Sequence, residues 1–160
     1  INNKNVKNKI MPNSAHLHLL TNHFPVVGMI IVFLVLVYGI FRKQNEIIRL
    51  ALMLTVLISL ITIVVSNSGE SASQLIEGED GVNEEMIDPH EEMAEIASVV
   101  MYVTGGLCLV GLIIFRGEKR IPMLMSIVYF ILMIGVISLM GYTAHLGGQI
   151  KHPEIIQESK

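Results

Sequence analysis

The residues best equipped for chemistry are six histidines: His16, His18, His23, His90, His145 and His152. An imidazole nitrogen ligates haem iron, zinc, copper or non-haem iron, and it exchanges protons near neutral pH. His16 and His23 stand seven positions apart, so they share a face if a helix begins near Ser14. His145 and His152 have the same spacing, but Gly147, Gly148 and Pro153 argue against a continuous helix there. Glu70, Glu91 and Glu92 are carboxylates that could join such ligands. Other chemistries lack their residues. Cys108 is the single cysteine and lies in an apolar run. It can form neither an internal disulfide nor a thiolate metal site, and it reads as a small buried hydrophobe. No CxxCH motif is present for covalent haem attachment, no HExxH, no paired Glu-x-x-His, and no nucleophile elbow around any serine.

The elements that would position these histidines follow from composition. Of 160 residues, 52% are hydrophobic and only 16% charged, against about 25% charged in a soluble domain. The apolar residues fall into four runs, about 24–41, 47–65, 96–115 and 121–142. Even the shortest makes roughly 27 Å of helix, enough for a hydrocarbon core of about 30 Å with some extension into the interface. The little polar material left cannot enclose four such helices. The expected fold is therefore all-α, an integral membrane four-helix bundle. Short links make neighbouring helices antiparallel, so it runs up-down-up-down. Residues 1–13 form a disordered N-terminal segment, of which 1–10 are a leader or an extended reading frame ahead of Met11. The transmembrane domain is 14–152, and 153–160 are a tail.

Charge sets the orientation. Arg42, Lys43 and Arg49 flank the first link, and Arg116, Lys119 and Arg120 lie in the third. Arg49, at the start of the second run, is expected to snorkel to the headgroups. The acidic segment 67–95 carries ten Asp and Glu and no Lys or Arg. The positive-inside rule places the basic links in the cytoplasm and both termini and the acidic segment outside. Ser68 to Ile76 should extend the second helix beyond the membrane, with Gly78 and Gly81 breaking it. Asp88 then serves as N-cap of the third helix, with Pro89 at its first position. The net charge is −3, Trp is absent and no basic patch is interleaved with aromatics, so nothing favours nucleic acid.

On this topology all six histidines belong to the outer face. His23, His90 and His145 sit at similar depth on three helices and are the first candidates for a shared inward-facing site. His16 and His18 are candidates for a second. A lone interfacial histidine is as often a simple hydrogen-bonding group. Three stripes of small or polar residues lead toward this end: Thr55, Ser59, Thr62 and Ser66 on the second helix, Ala94, Ala97 and Met101 below His90, and Ser138, Gly141, Ala144 and Gly148 on the fourth. Such stripes leave room for a flat ring, or simply let helices approach.

Haem b is the first cofactor these histidines suit, held by His23 or His90 with His145. Two imidazoles leave the iron no open position, which means electron transfer. A copper, zinc or iron ion held by His23, His90, His145 and Glu70 is the alternative, in a non-haem metal or quinone-associated redox protein. The third possibility is a cofactor-free accessory or assembly subunit, whose acidic segment docks a cationic partner.

The run His18-Leu-Leu-Thr-Asn-His23-Phe-Pro25, the sequence Ser68-Gly-Glu-Ser-Ala72, the sequence Pro89-His-Glu-Glu92 and the ending Thr143-Ala-His-Leu-Gly-Gly148 occur in that order. This set resembles a group of bacterial four-helix membrane proteins of unknown function, over nearly the whole chain from Ala15. The resemblance implies a multi-pass protein of the bacterial inner membrane and carries His23 and His90 over as shared residues. His145 stands as an addition to the usual ending. A b-type cytochrome role follows by analogy of shape alone. The expected function is a membrane-bound haem b electron-transfer protein or a subunit of a respiratory complex. Its expected partners are other membrane subunits or a soluble electron carrier, within the lipid bilayer.

Overall fold

The computed structural model describes residues 14–78 and 81–151, with side chains from His18 onward except Glu70. The expectations for residues 1–13, His152 and the tail 153–160 lie outside the described residues, as do those for the side chains of His16 and Glu70. The described chain is helical: α1 (Ser14–Thr21), α2 (His23–Phe41), α3 (Asn45–Ile76), a 3₁₀ turn at Glu84–Met86, α4 (Ile87–Ile114) and α5 (Met123–Lys151).

Four helical stretches are long and apolar enough to cross a membrane: His18–Phe41, Asn45–Ile76, Glu84–Ile114 and Met123–Lys151. No more than 39% of the most apolar window of any of them is buried in the protein. Leu34, Leu57, Val103 and Ile131 are among the large apolar side chains that face outward. An exposed apolar surface of this size marks a face for a membrane or for partner proteins.

The inner faces close a ring in which α2 packs on α3, α3 on α4, α4 on α5, and α5 on α2. Met29, Leu36, Leu52, Met101, Tyr129, Met133 and Val136 fill its axis. Phe33 and Phe130 join α2 to α5 with ring centroids 5.1 Å apart. At Gly105 of α4, an added Cβ would lie 2.5 Å from Ser59 of α3, so a missing side chain sets that approach. The buried hydroxyls of Thr55, Thr62 and Thr104 each donate to the carbonyl four residues back, at 2.8 Å. Their polarity is satisfied within their own helix, which makes the stripe on α3 a packing surface.

Where the helices start and stop has local causes. Pro25 has no N–H to return to the carbonyl four residues earlier, and the helix is interrupted at Asn22, separating α1 from α2. The α2–α3 link is tight, with Lys43 at φ 53°. Gly78 and Gly81, both at φ 80°, follow the end of α3, and that conformation suits glycine. Three expectations are corrected. Asp88 is not the N-cap of α4: the 3₁₀ turn feeds the helix from Met86, so Asp88 lies in its first turn. Helix α5 runs unbroken through Gly147 and Gly148 to Lys151, because packing against α4 outweighs the propensity cost of about 1 kcal/mol per glycine. Ser138, Gly141 and Ala144 are exposed, since the buried face of α5 is Ser126, Tyr129, Met133, Val136 and Met140.

Arg49 also departs from expectation. Its guanidinium does not reach away from the protein but donates to the carbonyls of Phe115, Gly117 and Lys119, at 2.5, 2.6 and 2.8 Å. These are the orphan carbonyls of the α4 terminus and the link beyond it, where a cation is favoured. Beside it, Asn45 Oδ1 accepts from the backbone N–H of Ile121 at 2.8 Å. The start of α3 thus clamps the α4–α5 link.

Candidate functional site

At the other end of the ring, helix α3 continues past the core and carries α1 on one side and the start of α4 on the other. His18, four residues before Asn22 in the last turn of α1, is half-buried against this extension. Its Nδ1–H donates to the carbonyl of Val65 at 3.2 Å. The Ser68 hydroxyl lies 3.4 Å from the same nitrogen and donates to the Val65 carbonyl at 2.9 Å. The ring lies over Gly69, where a Cβ would come 3.2 Å from its Cε1.

His90, on the first turn of α4, is arranged in the same way against α5. Its Nδ1–H donates to the carbonyl of Thr143 at 3.0 Å. The ring lies over Gly147, where a Cβ would stand 3.0 Å from Cε1 and 3.2 Å from Nδ1. Residue types and spacing thus produce two matched sockets: a carbonyl fixes Nδ1, and a glycine makes room for the ring.

The two sockets are linked through α3 and α4. Ser73, one turn beyond Gly69 on α3, hydrogen-bonds the carboxylate of Glu91, the residue after His90. An accepting carbonyl at Nδ1 requires the proton there, so the lone pair of a neutral ring is on Nε2. Neither Nε2 is taken by a hydrogen bond among the described residues. Metal-ligating histidines are commonly held by this same contact, the other ring N–H bonded to a backbone carbonyl.

The remaining expected residues lie elsewhere. His23 is exposed at the start of α2. His145 is exposed on α5, and Gln149 Nε2 donates to its Nε2 at 3.1 Å. His18 and His90 are thus each seated against a neighbouring helix, whereas His23 and His145 face outward. Among the described residues no three His, Cys, Asp or Glu side chains converge as a metal cluster. Sequence spacing did not place His18 against α3, because that contact depends on how the α1–α2 break at Asn22 turns α1. The glycine sockets were present in the sequence only as the Ser68-Gly69 pair and the Gly-Gly ending.

Asn22 adds a further polar atom at this end: its Oδ1 is buried with no hydrogen-bond partner among the described residues. Beyond the histidines, Glu77, Glu84, Asp88 and Glu91 line an open cleft of about 340 Å³ between α3 and α4. The Asn83 N–H donates to the Ile150 carbonyl at 2.9 Å, fastening the acidic link onto the end of α5.

Bis-histidine haem ligation takes two imidazoles with free Nε2 lone pairs; His18 and His90 each leave that atom free of hydrogen bonds among the described residues. A three-ligand ion site would need a further donor that the described side chains do not bring to them. No family model, no curated protein and no solved structure matches the chain.

Proposed function

We propose that this chain is a multi-pass protein of the bacterial inner membrane that binds b-type haem near the outer face, as an electron-transfer protein or a subunit of a respiratory complex. Its four spans run up-down-up-down, with both termini and the acidic segment outside. The distribution of charge supports this orientation: Arg42, Lys43, Arg116, Lys119 and Arg120 at one end, and a segment without Lys or Arg at the other. The haem ligands in this reading are His18 and His90. The observation that carries it is the matched pair of sockets, each fixing Nδ1 on a neighbouring helix and leaving Nε2 to a ligand. A haem held this way supplies one-electron transfer and no open coordination position. The protein's part is to orient both rings, to set the separation of α1 and α4 through α3, and to present an acidic surface to a cationic carrier.

The experiment is an optical spectrum with iron analysis on the full chain purified in mild detergent. A Soret band that shifts on dithionite reduction, lost in His18→Ala and in His90→Ala but kept in His23→Ala and His145→Ala, is the expected result. A colourless, iron-free preparation from haem-replete cells sinks the proposal.

A second reading has its own observation. Each imidazole already makes an interhelical hydrogen bond, His18 between α1 and α3 and His90 between α4 and α5. Such bonds suffice to fasten a cofactor-free accessory or assembly subunit. Copurification with a larger membrane complex, without haem, would favour it. Zinc or copper in the preparation would instead favour a non-haem metal protein.

A further inference from the structure

The basic end of the molecule carries a concave feature unrelated to the histidines. Between α4 and α5 lies an apolar groove of about 240 Å³. Tyr129 forms its floor, at 1% exposure, with its hydroxyl donating to the Leu107 carbonyl at 3.4 Å. The ring fits because position 111 is glycine and leaves space beneath it. Val110, Ile114 and Val128 stand at the rim, 50%, 54% and 38% exposed. The groove closes toward Phe115 and Met125, the residues that bracket the α4–α5 link.

That link holds Arg116, Lys119 and Arg120, all exposed, with Glu118 as its one acid. Arg49 is already committed to the link's carbonyls and leaves these three cations available. Apolar walls ending at a cluster of cations match an amphiphile with a hydrocarbon chain and an anionic head. The opposite end of the bundle is acidic over 67–95 and repels the same head, so the charge asymmetry fixes which way the amphiphile lies.

We propose that the α4–α5 groove is a binding site for one anionic phospholipid, its acyl chain against Val110, Ile114 and Val128 and its phosphate on Arg116 and Arg120. The site rests on the membrane reading of the helices and is independent of the haem. Each basic group near a headgroup gives about a fivefold preference for an anion, so two give roughly twentyfold to thirtyfold.

The test uses the full chain, delipidated in neutral detergent and titrated with dioleoylphosphatidylglycerol or dioleoylphosphatidylcholine, with bound lipid counted by native mass spectrometry. Partition into liposomes is read first, on the same preparation. Protein that stays in the aqueous phase overturns the membrane reading and this site with it. For inserted protein, the expected result is one phosphatidylglycerol retained over phosphatidylcholine by the factor above. The preference should collapse in Arg116→Gln/Arg120→Gln and persist in Arg42→Gln/Lys43→Gln, which removes equal charge from the other link. Val128→Trp should lower retention of both lipids by filling the groove. Equal retention of the two lipids by wild type, an equal loss in the Arg42/Lys43 variant, or a detergent-stable dimer occupying the groove would each overturn the proposal.

Discussion

His90 lies over Gly147 so closely that a single methyl group on α5 would stand 3.0 Å from the imidazole Cε1. Gly148, the next residue, has nothing within 4 Å of its equivalent position. The pair makes a controlled experiment. Gly148→Ala should raise stability by up to about 1 kcal/mol through helix propensity and leave any haem spectrum unchanged. Gly147→Ala gains the same propensity but displaces the ring, so it should weaken haem occupancy and fail to stabilise. In a His90→Ala background, Gly147→Ala should recover the stabilisation. Thermal unfolding in detergent and the Soret amplitude read the two effects separately, and an unchanged spectrum in Gly147→Ala would count against His90 as a ligand.

Ligation at Nε2 should show an acid limit. The Nδ1 proton of each ring is held by a carbonyl, so the second proton must go to Nε2, the atom that would bind iron. Ligation favours the unprotonated ring, and its contribution is present at higher pH and lost as pH falls. Acid titration should convert a bis-histidine spectrum to a high-spin or haem-free one. Ser68→Ala removes a hydroxyl 3.4 Å from His18 Nδ1 and should shift that limit while costing only about 0.5–1.5 kcal/mol of stability. A spectrum insensitive to acid until global unfolding would argue against imidazole ligation.

The basic end predicts a stability effect unrelated to any cofactor. Arg49→Ala deprives three backbone carbonyls of their shared donor and should destabilise by about 2–4 kcal/mol. All three bonds come from the one nitrogen Nη2, so Arg49→Lys, which keeps the charge and a multiple donor on a different stem, should recover part of this. The measurement is the unfolding midpoint in detergent. Equal midpoints for wild type and Arg49→Ala would mean that water satisfies those carbonyls equally well.

Sidedness is open to direct labelling. In a Cys108→Ser background, cysteines placed at Glu85 and at Glu118 should react with a membrane-impermeant maleimide from opposite faces of intact cells, Glu85 from outside. Labelling of Glu118 from outside would invert the orientation, and labelling of both from one side would break the four-span arrangement.

The four long helices were legible because each apolar run is of membrane-crossing length once its interfacial ends are included, and because Gly78 and Gly81 mark the end of α3. The site was less so. Depth along a sequence grouped His23, His90 and His145, but depth says nothing about which side of a helix a ring occupies. His145 shares the end of α5 with Gly147 and yet faces outward. The proposed partner of His90 comes from α1, whose direction depends on a break caused by Pro25, three positions into the next helix. No period or spacing reports where such a break sends the preceding turns. The outward-facing stripe on α5 misled for a related reason: in an apolar solvent small residues need not face inward.

The outward faces of the helices change character at one level. On α3 they pass from Ile63 and Val64 to Asn67, Ser71 and Gln74, and on α4 from Ile96 and Val99 to Glu95, Glu92 and Glu91. Helix α3, with 32 residues, is about 48 Å long and on the proposed membrane reading would stand in two solvents. Val65 and Ser68, which hold His18, would then fall at the waterline. A change of charge on the imidazole pair would be met by water at its own level, so protons could exchange there without a conducting path through the bundle.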